Sequence, residues 1–202
     1  MKRFVTRALI VVAAILGIVF AQVAPASATT TKKLESNLAA LWTTVLETPS
    51  AQNSFGTGGS AFACWDLGGM VAPFAPGGVE SCTVKRGTKI FVVASSVECS
   101  TFEGNGTTED ELRKCARRGD VHKRPTVTVD GRSARVTEVE TPLLNIVLPA
   151  DNIFGQATGT SGLSVGHGWV ALLHPLPPGK HKIKIGGTVP TIKTTIRVKR
   201  GH

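Results

Sequence analysis

From Thr29 to Pro49 the apolar side chains recur with a helical period. Leu34, Leu38, Leu41, Trp42, Val45 and Leu46 fall on one stripe, and Pro49 stops it. The spacing predicts an amphipathic helix over 29–52 that packs against a sheet. Asn53 to Gly78 is rich in Gly and carries Pro73 and Pro76, so it reads as loop with one short strand around Phe62–Trp65.

Beyond that point the period changes to two. Lys89 to Val97 is a β-branched apolar run suited to a central strand. Thr126 to Val129 alternates, Asp130-Gly131 turns, and Arg135 to Glu140 returns, which predicts a hairpin. Leu143 to Leu148 is another buried strand. Trp169 to His174 and Lys180 to Ile185 flank a Pro175–Gly179 turn and predict a second hairpin. Thr191 to Lys199 alternates, with Ile192, Thr194, Ile196 and Val198 inward. One helix interrupts the strands. Thr108 to Glu111 is a capping box, with acids in the first turn and Lys114, Arg117 and Arg118 in the last. Many short strands without strand–helix alternation predict a mainly β fold: an antiparallel β-sandwich, immunoglobulin-like or jelly-roll-like, over 53–202.

The first 28 residues carry an address. Met1-Lys2-Arg3 and Arg7 are basic, Ala8 to Ala21 is apolar, and Ala26-Ser27-Ala28 has small residues at both ends of a cleavage site. This order is that of a secretory signal peptide, cleaved after Ala28. The apolar run is short for a membrane span, and no later stretch reads as one. The expected product is secreted, with no membrane attachment after cleavage.

The four cysteines, Cys64, Cys82, Cys99 and Cys115, are read against that compartment. An even number in an exported chain means two disulfides. Three connectivities are possible. Cys64–Cys82 with Cys99–Cys115 is preferred because each pair closes a short loop, and the second would pin the small helix to the end of the long strand. The C-x₂₋₄-C spacing of a zinc site is absent, so no metal is expected.

Charge narrows the partners. The 202 residues hold 23 Lys+Arg against 14 Asp+Glu, a net charge of +9. Tyr is absent and aromatics are 5%, which argues against a stacking platform for single strands, and export argues against nucleic acid altogether.

Several motifs in order look familiar: Leu41-Trp42 with Pro49 and Asn53; Cys82-Thr83-Val84 with Gly87-Thr88-Lys89-Ile90-Phe91; Glu98-Cys99-Ser100-Thr101 with Glu103-Gly104-Asn105-Gly106; Leu148-Pro149 with Asp151-Asn152-Ile153 and Gly155; Trp169 with Pro175-Leu176, Pro178-Gly179 and His181. Together they resemble a family of small secreted bacterial proteins of unassigned activity, over roughly Leu41 to Val198. The resemblance implies export and a β-rich fold, and supplies no catalytic residues.

Candidate chemistry is sparse. Gly162-Leu163-Ser164-Val165-Gly166 matches G-x-S-x-G, but the segment reads as loop, and no Asp or Glu follows Ser164 to complete a triad in the order of that fold. His167, His174 and His181 recur every seven residues. His181 shares its phase with Ile183 and Ile185, so it is expected inside the core, neutral and bonded to backbone. Glu98, Glu103, Asp110 and Glu111 cluster near the Cys99–Cys115 loop but match no calcium loop.

The strongest feature is electrostatic. Lys180, Lys182 and Lys184 share one phase of one strand, and Lys193, Arg197 and Lys199 one phase of the next. If these strands pair, the cations form a strip suited to an acidic extracellular or cell-wall polymer. The competing account is that outward lysines guard an edge strand against aggregation. The expected function is a secreted, non-catalytic extracellular or cell-envelope module without cofactor. A small secreted hydrolase with its site unlocated and a structural envelope protein are the alternatives.

Overall fold

The N-terminal stripe forms the expected helix. In the computed structural model, which describes residues 26–120, 123–188 and 190–200, α1 spans Ala26–Glu47. Leu34, Leu38, Leu41, Trp42, Val45 and Leu46 are all buried. Residues 1–25 of the expected leader lie outside the described residues, and the cleavage point after Ala28 falls in the first turn of α1. Asn53 ends the helix. Its buried side-chain amide donates to the carbonyls of Val45 (2.6 Å) and Thr48 (3.3 Å) at the end of the helix.

Eleven strands follow among the described residues. β1 (Cys64–Asp66) and β2 (Met70–Pro73) pair across Gly68-Gly69, both at positive φ. Phe62, expected to open β1, instead ends a 3-10 turn and is exposed. β3 (Ser81–Val84) and the long β4 (Lys89–Ser100) precede α2 (Glu109–Gly119). α2 has the expected capping box between Thr108 and Glu111. Next come β5 (Thr126–Val129), β6 (Arg132–Ala134), β7 (Thr137–Glu140) and β8 (Leu144–Val147). β9 (Ser161–Leu173), β10 (Gly179–Gly186) and β11 (Ile192–Val198) complete the set.

They form two sheets. The first runs β1-β2-β4-β9-β7, with β8 also on β9; the second runs β3-β11-β10-β5-β6. α1 packs one face of the first sheet, where Leu38, Leu41 and Trp42 join Phe91, Val93, Val139 and Val170 in one core. The opposite face contributes Ile90, Val92, Ala171 and Leu173 to a second core with Val127, Ile183, Ile185, Ile196 and Val198 of the second sheet. A smaller cluster sets Leu112 and Ala116 of α2 against Cys99 and Val165. Both disulfides have the preferred connectivity, Cys64–Cys82 and Cys99–Cys115.

Three expectations are corrected. The sheets are mixed rather than antiparallel: β2 runs parallel to β4 and β3 parallel to β11. The parallel contact of β3 arises because the C-terminal strand enters between it and β10. Secondly, the return from Asp130-Gly131 is Arg132–Ala134, after which buried Val136 carries the chain across to the first sheet as β7. Both turn residues have positive φ (50° and 82°), as a tight two-residue hairpin requires. Thirdly, β9 and β10 are not a hairpin. Pro175, Pro177 and Pro178 lack the N–H that would extend a ladder, and the chain passes here from one sheet to the other.

Candidate functional site: the basic face of the second sheet

The phase of β10 and β11 is set by what they bury. His181, Ile183 and Ile185 of β10 and Thr194, Ile196 and Val198 of β11 point into the core. Alternation then forces Lys180, Lys182, Lys184, Lys193 and Arg197 outward, and Lys199 continues the phase; all six are exposed. The strands pair antiparallel in a register that opposes Lys180 to Arg197, Lys182 to Thr195 and Lys184 to Lys193. Two of these three pairs therefore set cation against cation. No ion pair engages any of the six cations among the described residues.

The position of these strands bears on the edge-guard account of the lysines. β10 lies between β11 and β5, and β11 between β3 and β10, so they are interior strands. The edges are β3 and β6. Lysine on an interior strand guards no free edge, and like charges directly opposite each other are destabilising. Neighbouring strands add hydroxyls to this face: Thr128 opposite Lys184, Ser133 opposite Thr128, Ser81 opposite Thr195 and Thr83 opposite Arg197. A depression of about 440 Å³ lies over Thr128, Lys182, Lys184, Lys193 and Thr195. These hydroxyl positions were readable from the alternation of Thr126-Val127-Thr128, once that strand was known to neighbour β10.

Asp130, in the turn between β5 and β6, is already engaged. Its carboxylate accepts from the backbone N–H of Lys182 (2.8 Å) and meets Nδ1 of His181 at 2.7 Å. The bond to Asp130 holds the imidazole of His181 above its usual range. His181 is buried as its phase requires, but its partners are a carboxylate and the Pro177 carbonyl (2.8 Å), not backbone alone.

The three histidines do not converge. His167 bonds Asp120, His181 bonds Asp130, and His174 is exposed. No group of three or more His, Cys, Asp or Glu that could hold a metal occurs among the described residues. The acid partners escaped the sequence reading because both come from segments about fifty residues distant, Asp130 brought in by sheet pairing and Asp120 by the packing of α2.

The G-x-S-x-G segment is corrected from loop to the interior of β9. A Cβ on Gly162 would meet the Phe102 ring at 2.6 Å, and one on Gly166 would meet Trp42 at 2.4 Å. Both glycines are thus explained by close packing. Ser164 between them is fully buried and donates to Glu98. Burial pushes the Glu98 carboxyl up to about 7, against the opposing hydrogen bond from Ser164, with Glu103 adding repulsion. The four acids near the second disulfide do not act as one set: Glu111 is consumed by the capping box, which holds its carboxyl down at about 2, and Asp110 is exposed on the first turn of α2.

The most recognisable motif residues also carry structure. Asp151 accepts from Ser50 and Ala51 through its carbonyl and carboxylate, and Asn152 closes its own loop by donating to Pro149 and Gln156. No known family model, curated protein or solved structure matches this chain.

Proposed function

We propose that the protein is an exported, non-catalytic module that holds an anionic extracellular or cell-wall polymer on the outer face of its second sheet. The observation that carries this reading is the opposition of like charges, Lys184 to Lys193 and Lys180 to Arg197, on interior strands. Such pairs cost stability and protect no edge, so a ligand that neutralises them accounts for their presence. The leader pattern and the two disulfides support export. The face-to-face stacking of the sheets supports a sandwich-type architecture, whose outer face carries the lysines and the depression between them on which an extended polymer can lie.

The test is retention on a sulfated-polysaccharide resin. The wild type binds at low salt and elutes above about 0.15 M, where charges are screened within roughly 8 Å. Lys182→Gln, Lys184→Gln and Arg197→Gln combined abolish retention without lowering the melting temperature, since the variant also removes both like-charged pairs. Co-elution of this variant with the wild type overturns the reading.

A further inference from the structure

At the end of the molecule where α1 begins, two cavities of about 380 Å³ and 650 Å³ meet. They share Arg135, Leu172, Leu173 and His174, so they form one groove. Both volumes fall in the range of small-molecule sites, roughly 300–1,000 Å³. The floor is apolar: Leu34 of α1, Leu172 and Leu173 at the end of β9, and Leu176 of the crossover. The rim is cationic. Lys33, Lys89 and Arg135 surround the first cavity, all exposed, and Arg132 joins Arg135 at the second. None of these four makes an ion pair among the described residues. Among the described residues the only acid lining the groove is Asp130, whose carboxylate is bound to His181 and to the N–H of Lys182 and also feels the charge of Arg132.

An apolar trough ringed by unpaired cations has the complement of one kind of molecule. We infer that the groove binds a single-chain anionic amphiphile, a free fatty acid in chemical class. The acyl chain lies over Leu172 and Leu176, and the carboxylate sits at Arg135, the cation common to both cavities. Arg135 suits the role because its planar fork matches a carboxylate with two parallel hydrogen bonds. This site is separate from the lysine face and does not rest on the polymer reading.

The experiment titrates the purified protein with a fluorescent polyene fatty acid, and with the uncharged alcohol and the primary amine of the same chain. Saturable one-to-one binding of the acid is expected, at least tenfold tighter than the alcohol, with no binding of the amine. Arg135→Glu and Lys33→Glu each weaken the acid at least tenfold, whereas Arg135→Lys loses less. Lys33 is exposed on α1, so its variant reports on the groove without endangering the fold. The triple substitution on the lysine face leaves fatty-acid binding unchanged, which separates the two sites. Equal affinity for acid and alcohol, absence of saturable binding, or indifference to both charge reversals overturns the inference.

Discussion

The carboxylate of Asp120, at the C-terminal cap of α2, stands 3.0 Å from Nδ1 of His167 in the middle of β9. The same carboxylate accepts from Ser95 of β4, so one buried acid ties the helix end to the two central strands of the first sheet. Glu138 approaches the other ring nitrogen at 3.5 Å. The bond to Asp120 holds the imidazole above its usual range, although burial works against the charge.

This linkage has a sign. A group whose proton is held more tightly in the folded state stabilises fully below its unfolded pKa, about 6.5 for His, and that contribution is lost as pH rises through the folded value. His181 acts in the same direction through Asp130. Urea unfolding midpoints should therefore fall as pH is raised above about 6.5. Asp120→Asn should lower stability near pH 6 by about 1–3 kcal/mol and flatten that slope. An unchanged slope would show that His167 does not titrate with folding.

Glu98 adds to the same trend at lower pH. Its carboxyl rises from 4.5 to about 7 on folding, so stability is lost as pH climbs between those values, by about 3 kcal/mol in total. Glu98→Gln removes the charge and keeps an acceptor for Ser164. The variant should gain close to that amount at pH 8 and almost nothing at pH 4. Equal effects at both pH values would place the carboxylate in water.

Gly166 is where Trp42 reaches the sheet, with its indole N–H donating to Ser96 at 3.0 Å. Gly166→Ala places a methyl group against that ring and should destabilise by about 1–3 kcal/mol, the usual cost of overpacking. Thermal melts followed by indole fluorescence should show a lower midpoint and an altered native spectrum. A wild-type melt would mean that α1 can shift away freely.

The disulfides are checked by mass. Intact protein without reductant should weigh four hydrogens less than the all-thiol form, and a peptide map should join Cys99 to Cys115. Replacing both with Ser should cost about 3 kcal/mol in the chain-entropy model. Four alkylatable thiols in native material would contradict both bridges.

The like-charged pair on the second sheet predicts a gain rather than a loss. Lys184→Thr should stabilise by about 0.2–1 kcal/mol at low ionic strength while weakening retention on the polyanionic resin. Loss of stability would show that the aliphatic stem of Lys184 matters more than its charge.

Local patterns carried much of this molecule. The helical stripe, the capping box, the phase of β10 and β11 and the short-loop disulfides all depend on neighbours within a few turns, and each is visible in spacing. What spacing does not carry is which sheet a strand joins. β7 leaves the hairpin that Asp130-Gly131 opens because the β6 return is short and Val136 is needed in the core between the sheets. The acid partners of His167 and His181, the Thr and Ser rows beside the lysines, and the groove around Arg135 all follow from such long-range choices. The glycines of β9 were visible but misread, since a glycine that admits an indole ring and one that makes a turn are the same letter.

The insertion of β11 between β3 and β10 orders events in time. β3 ends at Val84, yet the strand it pairs with among the described residues begins at Ile192, so the second sheet closes only when two segments far apart in the chain meet. Contacts that distant form slowly, so the core between the two sheets is completed late. The Cys64–Cys82 bridge ties β3 to β1 of the first sheet, a link that does not depend on β11 being in position. The carboxyl-terminal strand thus acts as the bolt of the fold, and losing Ile192–Val198 would open the second sheet from the middle rather than trim its edge.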